Sequence, residues 1–136
     1  MKATNIYVNL PVKDLQRSVA FFTALGFEFN AQFTNENGTC LMLGEQINVM
    51  LLLEPFFQTF LTKPMADARQ TTGVLTAFGL GSRAEVDQML SRALAAGGTE
   101  PRPLQDHGWM YSRAFEDLDG HVWEPVYSDL SLLPAS

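Results

Sequence analysis

The chain is poor in cysteine and in positive charge, and each shortage excludes a class of protein. Cys40 is the only cysteine among 136 residues, so an intrachain disulfide and a cysteine-based zinc site are both excluded. There are 9 Lys and Arg residues against 15 Asp and Glu, with no basic run, and the formal net charge is -6. A nucleic-acid backbone is therefore not an expected partner, whereas a neutral or cationic small ligand would suit the acidic balance.

Long apolar runs are also missing. The longest, Val49 to Leu53, is far too short to cross a bilayer, which takes roughly 20 apolar residues. The residues after Met1 lead into an alternating strand pattern and not into the apolar core of a signal peptide. We therefore expect a cytoplasmic protein that does not contact a membrane.

The first half of the chain predicts the element order β-α-β-β-β. Asp14 can cap a helix whose apolar stripe runs from Leu15 to Leu25, and Gly26 ends it. Alternating apolar residues predict strands before and after this helix, two of them joined by a hairpin at Asn37-Gly38. The expected strands are 4–11, 27–33, 39–43 and 47–54, followed by a short amphipathic helix with Phe56, Phe57, Phe60 and Leu61.

The same order is expected again after a linker. Ser82 and Glu85 form a capping box before a second helical stripe, which Gly97-Gly98 ends. The flanking strands are expected at 73–80, 99–104, 109–116 and 122–128, the last two joined by a tight turn at 117–120. The chain is thus predicted to be one α+β domain of two β-α-β-β-β modules, at about 4–62 and 73–129, with a linker at 63–72.

This order and two local motifs resemble the vicinal-oxygen-chelate superfamily, the glyoxalase, bleomycin-resistance and dioxygenase-like proteins. The stretch 10–22, LPVKDLQRSVAFF, is similar to the first strand and helix of the family. The stretch 115–124, FEDLDGHVWE, resembles its F-x-D-P-D-G-x-x-x-E signature, with Leu118 in place of the proline. The resemblance covers nearly the whole chain and implies a cupped mixed sheet that holds a ligand pocket, in a protein that usually forms a homodimer.

The resemblance also implies a divalent metal, and most of its ligands are missing here. The family holds the ion through side chains of the first, fourth, fifth and eighth strands, typically His or Gln, Glu or Gln, His, and Glu. The matching positions carry Tyr7, Met50 or Leu52, Leu75 and Glu124. Because three or four ligands must converge on such an ion, Glu124 alone is not expected to hold one. We predict no metal and no other cofactor.

Glu124 is the candidate catalytic residue. If the turn at 117–120 closes a regular hairpin, Arg113 lies close to opposite Glu124 on the same face, and the two are expected to form an ion pair. Aromatic and polar groups together are typical of a site for a small organic ligand, although they also occur in cores. By alternation along the strands, the residues expected to line this pocket are Tyr7, Asn9, Asn48, Met50, Leu52, Trp109, Tyr111, Arg113 and Val126.

Two other features point to different chemistry. His107 precedes the seventh strand and could serve as an acid or base near neutral pH, but a surface loop explains it as well. The stretch 79–84, GLGSRA, matches the dinucleotide motif G-x-G-x-x-A, with Glu100 where a ribose-binding acid would lie. Too little chain follows for a dinucleotide-binding domain, and the entry to a capped helix accounts for both glycines.

Three functions stay open on the sequence. The first is a metal-independent protein that binds a small organic ligand. The second is a lyase or dioxygenase-like enzyme that uses Glu124 with a displaced or atypical metal site, or with none. The third is a dimeric interaction module, in which the phenylalanine cluster at 56–61 would form the contact.

Overall fold

The computed structural model describes residues 1–134, and these form two compact units. The first is Met1–Ala66, and the second begins at Asp67, inside the segment expected to be a linker. Each unit contains one mixed β-sheet, as expected for an α+β protein. Within residues 1–134, no helix is long and apolar enough to span a bilayer.

The first unit is a four-stranded sheet in the order β1-β4-β3-β2. Its elements are β1 (Ile6–Val12), α1 (Leu15–Ala24), β2 (Glu28–Asn35), β3 (Gly38–Gly44), β4 (Ile47–Leu53) and α2 (Glu54–Gln58). The pair β1–β4 is parallel, and the other two pairs are antiparallel. The β2–β3 turn lies at Glu36-Asn37, one residue before the predicted position, because Gly38 pairs with Asn35 inside the ladder.

Helix α1 packs on one face of this sheet. It begins where the sequence predicts, since Asp14 Oδ1 accepts a hydrogen bond from the Arg17 backbone N–H at 3.0 Å. Phe21 and Phe22 point inward from the helix and are fully buried, as is Leu51 of the sheet. Burial of each such side chain stabilises the unit by about 2 kcal/mol, so the face towards α1 forms the main core of the unit.

The second unit has the strand order β5-β9-β7-β6, with β8 paired to β9. Its elements are β5 (Leu75–Gly79), α3 (Arg83–Ala95), β6 (Gln105–Asp106), β7 (Met110–Ser112), β8 (Phe115–Glu116) and β9 (Val122–Ser128). Trp123 and Phe115 are fully buried and stack with ring centroids 6.4 Å apart. They form the core of this unit with the buried residues of α3, namely Val86, Met89, Leu90 and Ala93.

Two strand predictions in the second unit were wrong. The segment 99–104 forms no strand, and only Thr99 pairs, in an isolated bridge to Glu116. Pro101 and Pro103 lack the N–H that a ladder requires. The expected strand 109–116 is divided into β7 and β8. The residue of β9 opposite the break between them is Pro125, whose carbonyl accepts a hydrogen bond but which has no N–H to donate one.

Gly120 is required by the turn between β8 and β9. Its φ is +89°, and a Cβ there would lie 2.9 Å from the carbonyl oxygen of Ala68. We expect Gly120→Ala to destabilise the protein by about 2 kcal/mol or more, from backbone strain and the clash together. Gly73→Ala is the matched control, since a Cβ there meets nothing within 4 Å. Urea unfolding measures both, and equal midpoints for the two variants would contradict this role.

Candidate functional site

The candidate ligand-binding residues of the first unit lie on one face of its sheet. In the parallel ladder, Tyr7 is opposite Asn48 and Asn9 is opposite Met50. Partners in a ladder point to the same side and every second residue shares it, so Leu52 belongs to this face as well. It is the face opposite α1. The prediction that these residues share one face of the sheet is therefore confirmed. Their role in ligand binding stays a prediction.

The polar side chains on this face form hydrogen bonds with neighbouring groups of the same sheet. The Asn9 Nδ2 donates to the backbone carbonyl of Tyr7 at 3.1 Å. The Tyr7 side chain remains 46% exposed. Cys40 of β3 donates from Sγ to Asn48 Oδ1 at 3.6 Å and is fully buried. Burial raises the pKa of the Cys40 thiol, so this cysteine is a poor nucleophile at neutral pH.

An open cavity of about 440 Å³ lies at one end of this face. Asn9 and Leu52 form its sheet side, and both belong to the expected ligand-binding set. The other side comes from Phe57, Phe60 and Leu61, in α2 and the turn after it. The sequence placed these apolar residues in a short amphipathic helix and offered a dimer contact as one role for them. Helix α2 begins directly after β4, so the chain returns over the sheet face. The direct succession of these two elements was the feature of the sequence that could have predicted this wall of the cavity.

In the second unit, Glu124 lies on the sheet face opposite α3. It is paired with Ala77 of β5 in the parallel ladder. Val126 lies on the same face, since it is two residues further along β9. The Glu124 side chain is 19% exposed. A half-buried carboxylate among apolar neighbours requires a partner of opposite charge.

The predicted ion pair between Glu124 and Arg113 was wrong. Ser112 is paired with Val126 and Phe115 with Trp123, so the residue opposite Arg113 is Pro125. The Arg113 N–H indeed donates to the Pro125 carbonyl at 3.2 Å. The turn spans 117–121, one residue more than assumed, and a shift of one residue moves a side chain to the other face.

The same shift relocates the other expected pocket residues of this unit. The Tyr111 hydroxyl donates to Asp87 Oδ1 at 2.6 Å, and Arg113 donates to the same oxygen at 3.0 Å. These bonds, that from Tyr111 above all, lower the pKa of Asp87. Asp87 belongs to α3, so Tyr111 and Arg113 face the helix and do not join Glu124. Trp109 lies in the bend before β7 and not in the strand, and its carbonyl accepts from the Asp129 N–H at 2.7 Å.

The partner of Glu124 is Arg102, which the sequence did not single out. A guanidinium N–H of Arg102 donates to Glu124 Oε2 at 2.6 Å, and the same nitrogen lies 3.4 Å from Ser112 Oγ. Its other terminal nitrogen donates to the Pro103 carbonyl at 3.1 Å. Arg102 lies in a segment expected to be a strand that the structure shows as a loop. No periodic pattern marks a loop arginine, so its pairing could not be predicted.

The residues at the family's metal positions do not fit a divalent ion. Tyr7 and Met50 in the first unit, and Leu75 in the second, offer neither an imidazole nor a carboxylate. Glu124 is already bonded to Arg102. Throughout residues 1–134, no three His, Cys, Asp or Glu side chains are grouped so that they could hold a metal ion. The expectation that the protein works without a metal stays a prediction.

The two alternative motifs gain no support from the geometry. His107 is exposed in the turn between β6 and β7, where its backbone N–H donates to the Met110 carbonyl. Glu85 Oε2 accepts the Gly81 N–H at 2.6 Å, which is one of the donors that a dinucleotide phosphate would need. Glu100 accepts from Arg113 at 2.9 Å, so it is engaged within the protein.

Comparisons with known proteins agree with this architecture. Residues 6–124 match the sequence profile of the Glyoxalase/Bleomycin resistance protein/Dioxygenase superfamily. A hypothetical protein from S. aureus is 27% identical, with a TM-score of 0.79 over 93% of this chain and 95% of that one. A glyoxalase-related enzyme from Fulvimarina pelagi is 20% identical, with a TM-score of 0.78 over 98% and 94%. The fosfomycin resistance protein FosX from Listeria monocytogenes is 21% identical, with a TM-score of 0.69 over 96% and 98%. No curated protein matches the chain.

The Arg102–Glu124 pair is expected to be energetically coupled. Because the two side chains are only 26% and 19% exposed, removing one partner leaves the other charge half-buried. A double-mutant cycle with Arg102→Met and Glu124→Gln should give a coupling of about 1–3 kcal/mol. The matched cycle on Arg83 and Asp106, which are 42% and 46% exposed, should give a smaller value. Equal coupling energies would show that the surroundings of Glu124 are as exposed to solvent as the surface pair, and would contradict this prediction.

Asp106 should titrate at unusually low pH. Two hydrogen bonds from Arg83, helped by the Gly108 N–H, lower its pKa from 3.8 to about 2. The stabilisation from this pair is therefore complete above pH 3.8 and is lost as the pH falls towards about 2. Carboxyl ¹³C NMR should show the midpoint of Asp106 rising towards 3.8 in Arg83→Met and unchanged in Arg102→Met. A midpoint unaffected by Arg83→Met would refute the assignment.

Proposed function

Because the chain belongs to the glyoxalase/bleomycin resistance protein/dioxygenase superfamily, we propose that it binds a small organic ligand on the sheet face of its first unit, without a divalent metal. The observation that carries this proposal is the cavity of about 440 Å³ between that face and the α2 segment. Its volume lies within the range of roughly 300–1,000 Å³ that is usual for small-molecule sites.

The lining of the cavity defines the class of ligand. Phe57 and Phe60 present aromatic rings, with Leu52 and Leu61 beside them, so an apolar or aromatic part of the ligand would pack here. Asn9 is the polar residue of the lining. Since its Nδ2 is bonded to the Tyr7 carbonyl, its Oδ1 is the group that would meet a ligand, and an acceptor selects an N–H or O–H donor.

The charge of the cavity and of the whole chain narrows the class of ligand further. None of the described residues that line the cavity is charged, and the chain as a whole carries a net charge of -6. An anionic ligand would find no counter-ion there and would be repelled by the net charge, whereas a cationic ligand would be attracted and a neutral one would meet no penalty. The ligand is therefore a neutral or cationic molecule with an aromatic or aliphatic body and one hydrogen-bond donor.

Sequestration of a ligand needs a fitting cavity and no catalyst, which agrees with the residues at the metal positions. Enzymatic proton transfer by Glu124 is the weaker alternative, because its carboxylate already accepts the Arg102 guanidinium at 2.6 Å. A homodimer, which the resemblance implies, remains part of the proposal. Phe60 is 67% exposed, so a partner chain placed against it would also cover the ligand.

A thermal-shift screen of small neutral and cationic aromatic compounds should yield binders, and calorimetry should give their affinities. Phe60→Ala is expected to weaken binding roughly ten-fold, since it removes an aromatic wall of the cavity. Phe33→Ala is the matched control, because Phe33 is also exposed, at 51%, but lies on β2 outside the cavity.

Binding should be unchanged after exhaustive treatment with a chelator, since no metal takes part. The proposal fails if the screen finds no binder, or if Phe60→Ala and Phe33→Ala have the same effect. Loss of binding in the chelator-treated protein would refute its metal-independent form.

A further inference from the structure

We infer that Arg102 takes the place of a divalent cation beside Glu124 and that this one side chain keeps metal ions away from the sheet face of the second unit. The inference deepens the proposed function, on which it rests, by assigning the exclusion of metal ions from Glu124 to a single residue. The observation behind it is the hydrogen-bonded ion pair of 2.6 Å between the two side chains.

The surroundings of Glu124 make a cation necessary. Its ladder partner is Ala77, and its neighbours along the same side of β9 are Val122 and Val126. None of these can accept or donate through a side chain. A carboxylate that is 19% exposed in such a setting is stabilised by a positive charge beside it. A metal ion or a guanidinium can supply that charge.

Arg102 is built to stay in this position. It lies between Pro101 and Pro103, and the proline rings restrict the backbone on both sides. Its guanidinium makes three contacts, with Glu124 Oε2, Ser112 Oγ and the carbonyl of Pro103. A planar fork held at several points loses little further freedom when it pairs with a carboxylate.

Removal of Arg102 would leave this face negatively charged. Glu116 of β8 is paired with Val122, so it lies on the same side of the sheet as Glu124, diagonally across the ladder. Two carboxylates without a cation would attract Mn²⁺, whereas Arg102 neutralises the Glu124 carboxylate and occupies its Oε2, so an approaching ion gains little there. A guanidinium also has no vacant coordination position, so it cannot act as a metal centre.

Paramagnetic broadening by Mn²⁺ of amide signals in ¹H–¹⁵N NMR spectra tests the inference. In the wild-type protein, the amides of Ala77 and Glu124 should be unaffected at Mn²⁺ concentrations that broaden exposed acidic residues elsewhere. In Arg102→Met they should broaden at roughly ten-fold lower Mn²⁺. The double variant Arg102→Met/Glu124→Gln should lose this gain, and Arg102→Lys, which keeps the charge, should behave like the wild type.

Arg83→Met is the matched control, because it frees the carboxylate of Asp106 and leaves Glu124 paired. The dispersion of each spectrum reports whether the variant folds, and Arg102→Gln replaces Arg102→Met if that variant does not. Broadening of Glu124 in the wild type, or no gain in the folded Arg102 variants, overturns the inference. Either result leaves the cavity of the first unit untouched, and a failed ligand screen leaves the Mn²⁺ result unchanged.

Discussion

The carboxylate of Asp117 sets the register of the second sheet, and most of that unit depends on the register. Its Oδ1 accepts the backbone N–H groups of Asp119 and His121, at 2.9 and 3.0 Å, and its Oδ2 accepts Trp123 Nε1 at 2.9 Å. Burial raises the pKa of Asp117, while the N–H donors act in the opposite direction. One side chain thus defines the turn and holds the largest core residue. Trp123 then enters the core, and its neighbour Glu124 must point to the other face.

The register also divides the arginines between the two faces. Arg113, opposite Pro125, is directed to α3, where Asp87 and Glu100 neutralise it. Glu124 is then left to a residue from outside the ladder, and the loop arginine Arg102 reaches it. A sheet slipped by one residue would bury Glu124 against α3 and expose Trp123, so the hydrophobic core enforces this distribution of charge.

Strand alternation predicted the first unit well and the second unit poorly, for a physical reason. β1 and β4 are continuous and evenly paired, so Tyr7, Asn9 and Asn48 could be assigned to one face from the sequence. In the second unit a proline interrupts the ladder and the turn is one residue longer than assumed, and an error of one inverts every assignment beyond it. The fold was still predicted correctly, because the order of helices and strands follows from helix caps and apolar periodicity, which are local features of the sequence. The Arg102 contact and the cavity wall from α2 depend on how loops return over a sheet, and no local pattern encodes that.

The two faces of the second sheet are under different constraints. The face towards α3 carries Trp123 and Phe115 and contributes most of the burial, so its residues are fixed by packing. The face of Glu124 is more mixed, since Val122 is buried on it while Leu75 is 59% exposed. A carboxylate there requires a cation but does not determine which one. In this structure the cation beside Glu124 is the guanidinium of Arg102. Because the register leaves Glu124 on this face and the loop segment supplies Arg102, the charge balance of the face depends on a residue outside the ladder.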